Sequence, residues 1–141
     1  MSRSGYSDCL DTWPLIRWRG QVASAIRGKR GQAFLRELLA ALDAMPEKKL
    51  IAHDLKDASG QVCTLGAIGV ARGVDMTALD PEEPEQLGIA FGIAHQLVAE
   101  IEYENDEGTY PLEAPEWRWQ RMRAWVANQL RGVTTGEEPG T

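Results

Sequence analysis

Beyond carboxylates, four side chains in this sequence could ligate a metal or act as nucleophile and base: His53, His95, Cys9 and Cys63. A zinc site takes its ligands in close pairs, because one turn must present two of them to the same ion. No two of the four lie at such a spacing, and no CxxC occurs, so no metal site is expected. A Cys–His nucleophile pair would need a Gly-rich elbow, an oxyanion hole and a third orienting residue, and none can be read. Ser24 and Ser59 also lack such a context. With 21 acids, carboxylate pairs are unavoidable, so none is assigned as general acid or base. The chain is therefore expected to be non-enzymatic and to carry no cofactor.

Binding chemistry is easier to find. Ile26-Arg27-Gly28-Lys29-Arg30-Gly31-Gln32-Ala33-Phe34 follows an apolar-x-Gly-x-x-Gly-x-x-apolar pattern. It resembles the GxxG loop of KH domains, which clamps a nucleic-acid backbone between two helices. Glycines let phosphates approach, a helix N-terminus favours anions, and Arg27, Lys29 and Arg30 add charge. The resemblance implies a nucleic-acid-binding site at Arg27, Gly28, Lys29, Arg30 and Gly31. The chain departs from that family in having no strand before the first helix, a longer first helix and an acidic total. The other reading is a solvated tip whose glycines end one helix and start the next.

Near the other end, residues at 100° steps put Trp119, Met122, Val126 and Leu130 on one stripe, with Trp117, Arg118, Arg121 and Trp125 across from it. Two Trp and two Arg can anchor a protein interface or stack bases. Otherwise this helix is buried on nearly all sides, and its arginines reach the acids of 73–113. Those acids are the third candidate. Glu82, Glu83 and Glu85, with Asp80, could mimic phosphates or meet a basic partner, though such runs are often simply solvated.

The elements that must position these groups follow from periodicity. Leu15, Trp18, Val22 and Ile26 make one apolar stripe, after Thr12 as a cap and Pro14 in the first turn. Gly28 is placed to end that helix. Phe34, Leu35, Leu38, Leu39, Leu42 and Met45 form the wide face of a second helix that Pro46 stops. Residues 49–55 and 61–63, around Asp57-Ala58-Ser59-Gly60, predict a β-hairpin. Thr64 is placed to cap a short helix to Arg72. The stretch 75–84 predicts an acidic loop, 85–90 a short turn, and 94–104 a helix with Leu97, Val98 and Ile101 inward and Glu100 and Glu104 outward. A second acidic loop spans 105–111, and Pro115 opens a last helix that Gly132 ends.

The expected fold is α+β, mainly α, in one domain. It has a helical hairpin over about 12–45, a short β-hairpin over about 49–63 and three or four further helices. Residues 1–11 read as a loosely ordered lead-in, 12–132 as the globular domain and 133–141 as a tail. At 141 residues, such a domain buries about two-thirds of its unfolded surface and needs no staples. Two cysteines and no apolar h-region after Ser2-Arg3-Ser4-Gly5 lead to the expectation of a reducing cytoplasm and no membrane.

The net charge of −6 conceals two poles. Residues 1–31 sum to +4, 32–72 to zero, 73–113 to −11 without one Lys or Arg, and 114–141 to +1. Either the poles meet in the fold, or the acidic segment faces a partner.

Ser4-Gly5-Tyr6-Ser7-Asp8, Ile16-Arg17-Trp18-Arg19-Gly20 and Ala25 to Gln32 together look like a small protein common in phages and prophages. Arg72-Gly73-Val74-Asp75-Met76, Tyr103-Glu104-Asn105-Asp106-Glu107 and Pro115-Glu116-Trp117-Arg118-Trp119 continue the likeness. That family is uncharacterised and brings no catalytic residues. The resemblance implies an accessory protein acting in the bacterial cytoplasm by binding a host protein or ribonucleoprotein complex, most concretely as an anti-CRISPR-like inhibitor of host defence.

Overall fold

Gly28 alone joins the first two helices. In the structure, a computed structural model describing residues 12–107 and 113–131, α1 is Thr12–Arg27 and α2 is Lys29–Ala44. The Gly28 N–H donates to the Ser24 carbonyl at 3.0 Å and its own carbonyl accepts from Gln32 N–H at 2.9 Å, so one residue closes α1 and opens α2. Gly31 lies inside α2, where an added Cβ would collide with the Ala25 carbonyl of α1. The expected hairpin is present, and its second glycine serves the crossing of the helices, not a loop.

α2 is the centre of the core. Phe34, Leu35, Leu38 and Leu42 are almost fully buried, each worth about 1.5–3 kcal/mol on the transfer scale. Around it pack α3 (Thr64–Arg72), α4 (Pro84–Phe91), α5 (His95–Glu107) and α6 (Pro115–Gln129). A single 3-10 turn, Met76–Ala78, interrupts the predicted acidic loop, and the short turn predicted at 85–90 is the full helix α4. Thr12, expected as a cap, is the first residue of α1. Of the α1 stripe, Val22 is buried, Trp18 and Ile26 are half-buried, and Leu15 is exposed, because the first turns of α1 overhang the core. Among the described residues no helix is long and apolar enough to cross a membrane.

The β-hairpin predicted at 49–63 is not there, so the described fold is all-α. Among the described residues there is one isolated antiparallel bridge, Lys56 with Val62, around the Asp57–Gly60 turn. Ile51 N–H does donate to the Val62 carbonyl at 2.9 Å, but the other backbone partners of 50–53 lie on α5 and α6. Arg118 Nη1 donates to the Leu50 carbonyl at 2.9 Å, Asn105 Nδ2 to the Ile51 carbonyl at 2.9 Å, and His53 N–H to Asp106 Oδ1 at 3.0 Å. Side chains of α5 and α6 thus do what a second strand would have done. The cap of α3 is Cys63, whose Sγ accepts from Gly66 N–H at 3.4 Å. Thr64, expected in that role, donates its N–H and hydroxyl to Asn105 Oδ1 at 3.1 and 2.7 Å.

α5 corrects a second expectation. Leu97, Val98 and Ile101 do face inward, but so does Glu100, which is buried because Arg19 of α1 grips both its oxygens at 2.7 and 3.1 Å. Glu104 is half-buried. The helix also continues to Glu107, so Asn105 and Asp106 are buried helical residues where a loop was predicted. At the far corner Gln32, also buried, donates to the carbonyls of Ile26 and Gln129 and accepts from Arg131 N–H, at 2.8, 2.9 and 2.8 Å. One amide thereby satisfies groups left orphan at the ends of α1 and α6. The lead-in 1–11 with Cys9, residues 108–112 of the second acidic loop, the Gly132 stop and the tail lie outside the described residues.

Candidate partner-binding surfaces

The Trp/Arg face of α6 turns out to be mostly structural. Arg118 is buried, and besides Leu50 it donates to the carbonyls of Asn105 at 3.1 Å and Glu113 at 3.4 Å. Arg121 grips both oxygens of Glu113 at 2.7 and 2.8 Å and donates to the carbonyls of Glu104 at 2.6 Å and Asn105 at 3.3 Å. Two guanidinium groups therefore cover the C-terminal carbonyls of α5, where cations are favoured. Trp125 packs half-buried against the core, and only Trp117 remains open, at 66% exposure. These four residues do not assemble into one outward surface.

The Arg121–Glu113 pair has a pH signature. Hydrogen bonding from Arg121 holds the Glu113 carboxyl below the usual carboxylate range, against the opposing effect of burial. Because the folded-state value lies below the unfolded one, this stabilisation is complete above the ordinary value near 4.3 and is lost as pH falls through the folded value. Glu37 with Arg72 and Asp43 with Arg123 shift the same way, but at the surface, where such pairs contribute little. Glu104 has the opposite sign: burial, then the charge of Glu100, raises its value, so its ionised form is disfavoured in the fold. The expected result is a midpoint in urea that drops below about pH 4, a shallower drop for Glu113→Gln, and a gain at neutral pH for Glu104→Gln.

The acids of 73–113 therefore divide. Glu100, Glu113 and Asp106 have partners inside the fold. Glu82, Glu83 and Glu85 are exposed and make no ion pair among the described residues. Asp80 shapes their loop, its carboxylate accepting from Glu82 N–H at 2.9 Å and its carbonyl from Glu83 N–H at 3.1 Å. Beside them Ile89 stands 86% exposed, on the face of α4 away from buried Leu87 and Phe91. Glu85 and Ile89 line an open hollow of about 530 Å³, and Arg30 of α2 stands on its opposite edge. Ile89 was legible in the sequence: Leu87 and Phe91 share an inward face at i, i+4, and residue 89 falls off it.

At the joint, Arg27, Gly28, Lys29 and Arg30 are exposed while Gly31 is buried. Lys29 and Arg30 are already the first turn of α2, so no four-residue clamp exists as the KH resemblance implied. His95 lies half-buried beside Trp18, ring centroids 6.0 Å apart, and His53 sits exposed with Nδ1 3.6 Å from buried Asp106 Oδ2. Cys63 is buried in its cap. Among the described residues no group of three or more His, Cys, Asp and Glu could hold a metal. A further apolar hollow of about 580 Å³ lies where the end of α2 meets α3, lined by Ala41, Met45, Val62, Ala67 and Val70. Comparison with protein-family models, curated proteins and solved structures finds no match to this chain.

Proposed function

We propose that this chain is a non-enzymatic phage or prophage accessory protein that acts in the bacterial cytoplasm by binding a host protein or ribonucleoprotein complex. Its most concrete form is an anti-CRISPR-like inhibitor of host defence. The observation that supports this reading is the surface of α4. Glu82, Glu83 and Glu85 stand exposed at the start of α4, Glu85 one turn before exposed Ile89, while other acids of the same segment are drawn into the fold. An exposed apolar anchor on a helix that begins with exposed acids suits a partner with a basic, nucleic-acid-handling groove: the anchor supplies affinity and the acids supply steering.

The test is affinity capture from host lysate, with and without nuclease. Ile89→Asp should weaken capture of the partner by at least about tenfold, the effect of losing one anchor residue. Glu82→Lys with Glu83→Lys and Glu85→Lys should weaken it further and remove its salt dependence. Capture that is unchanged in both variants would sink the proposal.

A further inference from the structure

The outward face of α1 carries a second surface, independent of α4. At 100° per residue Trp13, Arg17, Gly20, Ser24 and Arg27 fall within an arc of about 80°, roughly opposite buried Val22. All five are exposed. From Trp13 to Arg27 the stripe is about 21 Å long at helical rise. We propose that it is a track for a short stretch of single-stranded nucleic acid.

The charges point to a polyanion. Arg19, two residues from Arg17 but on another face of the same helix, is drawn into the ion pair with Glu100. Arg17 and Arg27 make no ion pair among the described residues, nor do Lys29 and Arg30, which continue the surface around the joint. Lys29 and Arg30 also occupy the first turn of α2, which itself carries no acid and no side-chain cap, and Glu85 of α4 shares a hollow with Arg30 without pairing with it. Cations there oppose the helix dipole, so the dipole does not offset their charge.

The spaces between the charges suit a sugar–phosphate backbone. Nothing lies within 4 Å of a Cβ built on Gly20, so the helix backbone is bare there. A shallow hollow of about 630 Å³ runs beside it, edged by Arg17, Gln21, Ser24 and Gln96. Neutral donors of this kind share phosphate contacts with arginine in nucleic-acid complexes. One turn before Arg17, the Trp13 ring is 73% exposed and free to stack. Cations that follow a backbone, with an aromatic on which a base stacks, are the recipe for single strands; a duplex hides the base faces that Trp13 would use. The net charge of −6 repels a polyanion at long range, so binding is local and salt-sensitive.

Fluorescence anisotropy of the full chain with labelled oligothymidylate and oligouridylate, from low salt upward, tests this. Four phosphate contacts predict a log–log salt slope of about −3 for a single strand. Trp13→Ala should weaken binding by roughly 5- to 150-fold, the worth of one stacked base. Arg17→Glu with Arg27→Glu should abolish it, and Lys29→Glu with Arg30→Glu should flatten the slope while melting at or above the wild-type temperature, since acids suit the first turn of α2. Lys56→Glu, on the Asp57 turn, should leave binding unchanged, and the α4 Glu→Lys substitutions, which remove negative charge, should not weaken it, which separates this proposal from the previous one. No binding by the wild type at low salt would overturn the inference, and so would wild-type affinity in the Trp13 and Arg17/Arg27 variants. Equal competition by polyglutamate at matched charge would overturn it in favour of an acidic protein partner.

Discussion

Asn105→Ala should destabilise the protein by about 3–4 kcal/mol, lowering the melting temperature by roughly 10–15 °C for a domain of this size. Its Oδ1 accepts from the Thr64 N–H and hydroxyl, and its Nδ2 donates to the Ile51 carbonyl and to Asp106 Oδ1 at 2.8 Å. Alanine would remove the partner that the Thr64 N–H and hydroxyl and the Ile51 carbonyl have in Asn105, and an unmade buried hydrogen bond costs more than a made one contributes. Asn105→Asp separates shape from chemistry. It keeps the acceptor for Thr64 but turns a donor into a second carboxylate against the Ile51 carbonyl and Asp106, so it should be at least as damaging. Urea titration is the measurement, reading the midpoint at constant slope. A loss below about 1 kcal/mol for both variants would show that the 50–53 segment is held by its apolar contacts, chiefly Leu50, and not by this amide.

Gly31→Ala is expected to cost about 2–4 kcal/mol, although alanine is the better helix former by about 1 kcal/mol. The new methyl would meet the carbonyl of Ala25, which is backbone and cannot rotate away, so α1 and α2 would have to separate where Gln32 also binds them. Gly20→Ala is the control. It sits on exposed helix surface with open space above it, and should stabilise the protein by about 0.5–1 kcal/mol. Thermal melts of the two variants should therefore move in opposite directions. A Gly31→Ala melt equal to wild type would mean that the helices can shift apart at no cost.

The parts of this fold that were legible in the sequence are those set by local periodicity. Phe34 to Leu42 announce α2 because their spacing alone makes a wide apolar face, and Gly28 and Pro46 mark where α1 and α2 stop. The 49–63 segment was misread because its short apolar run suits a strand, whereas the groups that occupy its backbone, Asn105 and Arg118, come from more than 50 residues away. Glu100 was placed outward for the same reason. On α5 alone a carboxylate belongs in water, and the ion pair with Arg19, 81 residues earlier, favours its burial. Of the candidate sites, the charge poles were readable as composition, but their division was not. Which acids and which arginines remain at the surface depends on pairings that exist only once the helices have docked.

Gln32 ties together residues nearly a hundred positions apart, so the order in which the chain emerges matters. During synthesis the α1–α2 pair is made early, with the apolar side of α2 lacking the cover that Met122 and Val126 later provide. Closure waits for the last helix. Until then the hairpin is without that cover, and the Gln32 amide cannot reach its partners at Gln129 and Arg131. Its contacts with Gln129 and Arg131 span 97 and 99 positions, so closing them carries a large loop entropy cost. The α1–α2 corner therefore cannot be completed before Gln129 and Arg131 have been made.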